Sequence, residues 1–353
     1  TLGSWVSDSV TSMLIDSGDP LRSVGDETPF NGGRINIGLY GGTVEASRGR
    51  ATPWVHAASF EQGGWAKGTV TLAWVARNFT SGTPVKLEFS PDGGESWTNL
   101  NTNLLASAQS WSWNTTTISN TWAGLWRVTA LTTNVSDQNG SLFAVRNTSL
   151  ALYINDSATS NDLYSSGPGA ATNWIATAAR PYHSLAGAVR AYDLEPGDRV
   201  YVDTGVYAET NTVALYRPDS GVSGNPVLFL GPTNGRVARV NRQSAAVGAY
   251  GLELRDTRWV ALSNLTFAGG HVGVWAQESG PVNVSVAAVE NASNGFYLFR
   301  TTNAVLSRVV AASNSCYGVE SFQNSGLTLD QSVLWSNSLA ALNVSEGAVT
   351  VSN

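Results

Sequence analysis

The chain has 353 residues, one cysteine, a formal net charge of -6 and a pI near 5.1. A lone cysteine excludes a disulfide scaffold, and an acidic balance with only 13% charged residues excludes a counterion-releasing grip on nucleic acid. No apolar run approaches the roughly 20 residues a membrane helix needs, so membrane insertion is not expected, while 42% apolar residues suffice for a core in two or three domains.

In chain order, residues 1–48 carry IDSGDP at Ile15 to Pro20 and PFNGGRINIGLYGGTVEAS at Pro29 to Ser47. The glycines at 25, 32, 33, 38, 41 and 42 suit tight turns, and Arg34 is placed to bond nearby carbonyls, so Arg34 and Asp19 read as structural. From 49 to 147 follow TVTLAWVAR, VKLEFS, SWTNL, SWSWN, LWRVTALT and SLFAV at intervals of ten to fifteen residues, the pattern of a small β-sandwich. SPDGGESW at Ser90 to Trp97 matches an Asp-box hairpin. Trp74, Trp111, Trp113 and Trp126 sit in alternating strands and are expected in its core.

Residues 148–353 open with a short predicted helix. Ser184 is its N-cap, Leu185, Ala188, Val189 and Tyr192 share one face, and Pro196-Gly197-Asp198 ends it before a β-branched strand. Asp193 and Asp203 frame that strand and are expected to accept from turn amides. From Tyr250 a unit recurs: YGLEL at Gly251, VGVWA at Gly273, NGFYL at Gly295, YGVES at Gly318 and AALNV at Ala341, spaced 22, 22, 23 and 23. Each unit holds two or three short alternating stretches, which predicts parallel strands in a coil rather than a hairpin sheet. Leu252, Leu254, Val274, Phe296, Leu298, Val319, Leu327, Leu329 and Leu342 are expected to face inward. Gly269, Asn291, Asn314 and Asn337, four residues before successive unit starts, are expected to stack as one turn ladder.

These repeats resemble the right-handed parallel β-helix of the pectate-lyase-like family, in its large extracellular repeat-containing branch. SLAGAVRAYDLEPGDRVYVDTGVYAE at 184–209 resembles the N-terminal opening of such a coil, and the strings at 15–20 and 29–47 resemble the opposite end. The resemblance implies an all-β chain: residues 1–48 as a β-helix terminus, 49–147 as a sandwich similar to immunoglobulin or fibronectin type III modules, and 148–353 as the cap and coils of a second β-helix.

Five residues past each unit start stand Asp256, Glu278, Arg300, Gln323 and Glu346, a column expected to stack at about 4.8 Å per rung. Glu320 and Arg308 are expected to join it on one flank. Pectate-lyase-like enzymes place carboxylates and basic groups on adjacent rungs to hold Ca²⁺ or abstract a proton from a uronic acid. By that resemblance Glu278, Arg300, Glu320 and Arg308 are the alternative catalytic set. No Lys follows Gly197 and alternating signs relieve a column's own repulsion, so the main reading is a solvated face without catalytic residues. His56, His183 and His271 have no ligand partner at metal spacing, Cys316 reads as a packed residue, and no cofactor motif is present.

Ten Asn-x-Ser/Thr sequons, at Asn78, Asn114, Asn134, Asn139, Asn147, Asn155, Asn264, Asn283, Asn291 and Asn343, are candidate glycan acceptors. The resulting expectation is an extracellular or cell-surface structural protein. The alternatives are a polysaccharide lyase or carbohydrate-binding protein using the coil flank, or an adhesin module, with glycans as possible partners. Written end to start, Val351 falls where Leu329 sits and Leu2 where Val333 sits. Head-to-tail assembly of this chain with itself into a filament is therefore expected.

Overall fold

The computed structural model describes residues 12–19, 22–28, 34–49, 52–173 and 176–353. It divides into two compact units, one containing 123–147 and the described residues up to 119, the other 120–122 and the described residues from 148 onward. The register expected for Leu2, and Gly32 and Gly33 of the glycine-rich string, lie outside the described residues.

In the first unit, described residues 12–49 form turns and bends with no strand among them. Arg34 ties them together as expected, its Nε donating to the Gly18 carbonyl at 2.6 Å and its Nη2 to that of Ser17 at 3.2 Å. Strands from Trp54 to Val145 form two sheets. One holds Trp54–Ala57, Thr69–Arg77 and Ser110–Asn114; the other is built mainly on Pro84–Ser90, Thr98–Leu105 and Thr121–Ala130. Alternation sends Leu72, Trp74 and Trp113 from the first sheet and Leu87, Phe89 and Trp126 from the second into one shared core, so the unit is a β-sandwich. Trp111 only packs against the core's edge. The Asp-box turn forms: Asp92 Oδ1 accepts from the Ser96 amide at 2.8 Å, and the Trp97 indole donates to the Gly94 carbonyl at 3.1 Å.

In the second unit the chain winds into a parallel coil of three sheets. The first has eight strands, from Ala151–Ile154 to Val349–Ser352. The second and third have six each, from Gly205–Glu209 to Val333–Trp335 and from Val213–Leu215 to Ala340–Ser345. All are parallel, and the strands at Val272–Gln277 and Asn294–Phe299 pair with Val274 opposite Phe296. The predicted inward residues are buried, except that Leu342 on the last rung of the third sheet is half-exposed. Val351 pairs with Leu329 as the spacing predicts, but is 62% exposed against 5%, because among the described residues no further rung covers it.

The helix Leu185–Ala191 forms with Ser184 as N-cap, its Oγ accepting from the Gly187 amide at 2.9 Å, and buries Leu185, Ala188 and Val189 against the first rung. The unit-start glycines mark a close approach. A Cβ on Gly273 would collide with Val289 Cγ1 and stand 2.9 Å from the Gly295 carbonyl oxygen, so the repeat's most visible letter records interior crowding.

Left-handed residues recur at fixed places in the corners of the coil, giving the columns Asp256, Glu278, Arg300, Gln323, Glu346 and Asn264, Val286, Arg308, Gln331. A β-branched side chain is the most strained choice there. Val286, at φ 49° and 44% exposed, occupies the place that Asn264 fills one rung earlier. Val286→Asn is expected to stabilise the coil by about 1 kcal/mol in urea titration. A destabilised variant would show that Val286 contributes packing that outweighs its backbone strain.

Candidate binding face of the coil

The third sheet exposes one face along the coil. Leu252 and Leu254 point inward, so by alternation Glu253 and Arg255 point outward, and parallel register propagates these positions down the rungs. One column reads Glu253, Trp275, Tyr297, Glu320, Asn343; its neighbour reads Arg255, Gln277, Phe299, Phe322, Ser345. Trp275, Tyr297, Phe299 and Phe322 are all half-exposed.

These side chains hold one another in place. The Tyr250 and Trp275 rings lie 4.3 Å apart, Phe299 and Phe322 stack at 5.6 Å, and the guanidinium groups of Arg255 and Arg300 lie over Trp275 and Phe299. Arg255 Nη2 pairs with Glu253 Oε1 at 2.6 Å, which leaves Glu253 only 7% exposed. Glu320 accepts from the amides of Asn294 at 2.6 Å and Asn343 at 3.3 Å. Burial and then the nearby Glu320 charge raise the Tyr297 phenol above its ordinary range; burial and then Glu253 do the same for Tyr250. Both phenols therefore remain neutral donors at physiological pH.

At the cap end a cleft of about 620 Å³ is lined by Tyr182, Arg190, Glu209, Asn211, Tyr216 and Glu253, so it opens onto the same columns. Glu209 is structural there: it accepts from Ser184 Oγ at 2.8 Å and from the Leu185 amide at 2.6 Å, a carboxylate at a helix start. Burial raises the carboxyl of Asp219, which caps Tyr216 N–H at 2.9 Å.

The charge column stacks in register along one edge of this face. Arg300 Nη1 lies 3.5 Å from Glu278 Oε1, Arg300 Nε donates to Gln323 Oε1 at 2.9 Å, and Gln323 Nε2 donates to Glu346 Oε2 at 2.6 Å. Asp256 is paired by Arg258 at 3.0 Å and Arg217 at 3.5 Å. Glu320 sits on the face itself. Arg308 does not join this flank: it belongs to the next corner, beyond the six-residue strand Thr302–Ser307, roughly 20 Å of extended chain away. There it lines a separate groove of about 390 Å³ with Arg236.

The turn ladder splits into two columns. Gly269, Asn291, Ser313 and Ser336 take the left-handed conformation, whereas Asn314 and Asn337 stand one residue later and face inward. Asn337 Oδ1 accepts from Asn314 Nδ2 at 2.9 Å, and Asn314 Oδ1 from the Ala292 amide at 3.1 Å. The turn after Glu290 has three residues and those after Ala312 and Trp335 have four, so counting back from the next unit misaligns Asn291.

The sequons also divide. Asn139 and Asn155 are buried and hydrogen-bonded, Asn139 Oδ1 to the Trp126 amide at 2.8 Å and Asn155 Nδ2 to Asp162 at 2.7 Å, so the folded chain presents neither as an acceptor. Asn78, Asn114, Asn134, Asn283 and Asn291 are exposed; Asn147, Asn264 and Asn343 are half-exposed. Among the described residues no group of three or more His, Cys, Asp or Glu side chains is arranged to hold a metal, and no helix is long and apolar enough to cross a membrane.

The aromatic columns escaped the sequence reading, although their signal is present: the second and fourth residues after each unit-start glycine include Trp275, Tyr297, Phe299 and Phe322.

Residues 224–353 match the family model of the right handed beta helix region. No curated protein matches the chain in sequence. Among solved structures the chain is similar to an alginate lyase from Paenibacillus sp. str. FPU-7, with 12% identity and a TM-score of 0.29 over 47% of this chain. That match spans 63% of the lyase, less than two thirds of its length. With its three parallel sheets and the family match over 224–353, the C-terminal part of the chain is a right-handed parallel β-helix region.

Proposed function

We propose that the chain is an extracellular structural protein whose coil holds a carbohydrate chain along the outward face of the third sheet without cleaving it. The observation that carries this reading is the pair of outward columns, in each of which half-exposed rings on two consecutive rungs are flanked above and below by polar side chains. Aromatic faces stack on the apolar faces of sugar rings, and fixed polar groups beside them bond hydroxyls. The charged column favours binding over chemistry, because Glu278, Arg300, Gln323 and Glu346 are engaged with one another.

Calorimetric titration of the intact chain with neutral oligosaccharides tests the reading. Trp275→Ala is expected to weaken binding about tenfold, the scale of one lost aromatic contact of about 1.4 kcal/mol, with the fold unchanged by circular dichroism. Unchanged affinity in Trp275→Ala and Tyr297→Ala would remove the face from consideration. Incubation with pectin, alginate and chondroitin is expected to release no unsaturated product. Product that disappears in Glu278→Ala or Arg300→Ala would assign catalysis instead.

A further inference from the structure

The charges around this face are asymmetric in their availability. Among the described residues, every guanidinium group on the third-sheet columns and their charged edge is already committed to an acid: Arg255 to Glu253 at 2.6 Å, Arg258 and Arg217 to Asp256, and Arg300 to Glu278 at 3.5 Å with Gln323 on its other side. The carboxylates are not all neutralised in return. Glu320 is held by the amides of Asn294 and Asn343, and Glu346 by the amide of Gln323. Amide donors fix a carboxylate without cancelling its charge, so Glu320 in the middle of the aromatic columns and Glu346 at their edge keep theirs. The cap-end cleft adds Glu209, whose hydrogen-bond partners are likewise uncharged, and one guanidinium group, that of Arg190.

Beyond the cap-end cleft, a ligand bearing a carboxylate or sulfate on each residue would meet these columns with no unpaired cation among the described residues, and could gain one only by breaking an existing ion pair. Like charges close together across a partly desolvated surface cost several kcal/mol in discrimination. The charged groups left over are acceptors, suited to hydroxyl and ammonium donors, and the donors beside them, such as the Tyr250 and Tyr297 phenols, are neutral.

From this we infer that the glycan held by the third-sheet face bears no acidic groups: it is a neutral or amine-bearing chain, and uronans are rejected. The inference rests on the carbohydrate-binding reading and narrows it to a substrate class. Glu320 acts as the acceptor at the centre of the face, with Asn294 and Asn343 orienting it and Trp275, Tyr297 and Phe322 stacking against the rings.

The test is a titration of the intact chain with three oligosaccharides of matched length: a chitin oligomer, its deacetylated chitosan counterpart and an oligogalacturonate. The chitin and chitosan oligomers are expected to bind. Chitosan should bind several-fold tighter than chitin at low ionic strength, an advantage that shrinks in high salt, and the chitosan-to-chitin affinity ratio should fall to about one in the Glu320→Gln/Glu346→Gln variant whatever its absolute chitin affinity; an unchanged ratio would overturn the inference. Oligogalacturonate is expected to give no measurable heat. Oligogalacturonate binding as tight as chitin would overturn the charge inference while leaving carbohydrate binding intact. Failure of all three would end the carbohydrate reading itself, and the inference with it.

Discussion

Asp203→Ala is expected to cost the coil unit about 3 to 5 kcal/mol, a large part of the stability of an ordinary domain. Asp203 is fully buried at the end of the strand Arg199–Val202, where one carboxylate accepts four amides: Leu163, Tyr164 and Ser165 at 2.7 Å each and Thr204 at 2.8 Å. The first three amides belong to a stretch that forms turns rather than strands, so Asp203 supplies the acceptor a neighbouring strand would otherwise provide. Tyr164, held by the same contact, packs 4.8 Å from the Tyr201 ring and donates to the Gly231 carbonyl at 2.8 Å. Alanine leaves four donors without a charged partner, and each such bond contributes about 1.5 to 3 kcal/mol before water recovers part of it. Urea unfolding measures the loss, and hydrogen exchange should show the amides of Leu163 to Ser165 losing protection first. A variant within about 1 kcal/mol of the parent would mean that water replaces the carboxylate without penalty.

The second large effect concerns Asp16 in the first unit. It is fully buried, and neither carboxylate oxygen has a hydrogen-bond partner among the described residues. Its main chain is held instead, the amide donating to Asn36 Oδ1 at 2.7 Å and the carbonyl accepting from Arg77 Nη2 at 3.2 Å. Burial pushes the carboxyl up to about 6, with the Arg77 charge opposing and the Glu27 charge adding to the rise. Because the folded state binds this proton more tightly than the unfolded chain, the associated stability is complete below the unfolded value of 3.8 and is lost as pH rises through about 6. The loss amounts to about 3 kcal/mol by neutral pH. Asp16→Asn is therefore expected to stabilise the unit by about 2 to 3 kcal/mol near pH 8 and by almost nothing near pH 4. Glu88, whose carboxyl is lowered chiefly by its hydrogen bond to Arg127, contributes the opposite slope in acid. For that reason the readout is the difference between parent and variant at each pH. An equal difference at pH 4 and pH 8 would show that the buried charge is not its origin.

Much of the coil is legible in one dimension because each rung repeats the last. Adding 22 or 23 to a residue number finds its neighbour in space, which is how Leu252, Val274, Phe296 and Val319 could be assigned to the interior and Asp256, Glu278, Arg300, Gln323 and Glu346 to one column. The cap helix was equally readable, since Ser184 and the face of Leu185, Ala188 and Val189 are local signals.

The period, the inward positions and the strand alternation are thus written in the local order of residues, all consequences of short-range geometry repeated along the chain. Which corner each exposed residue occupies depends on the folded coil. That geometry separated Arg308 from Arg300 by a whole strand and moved Asn314 and Asn337 out of line with Asn291. It also decided burial where partners are distant in sequence: Asp203 meets Leu163 across 40 residues, Arg77 meets Asp16 across 61, and Asn139 is enclosed beside Phe60, 79 residues earlier. No local pattern encodes such meetings, because a carboxylate or amide changes from a solvated group into a structural one only when another part of the chain closes over it and removes the water.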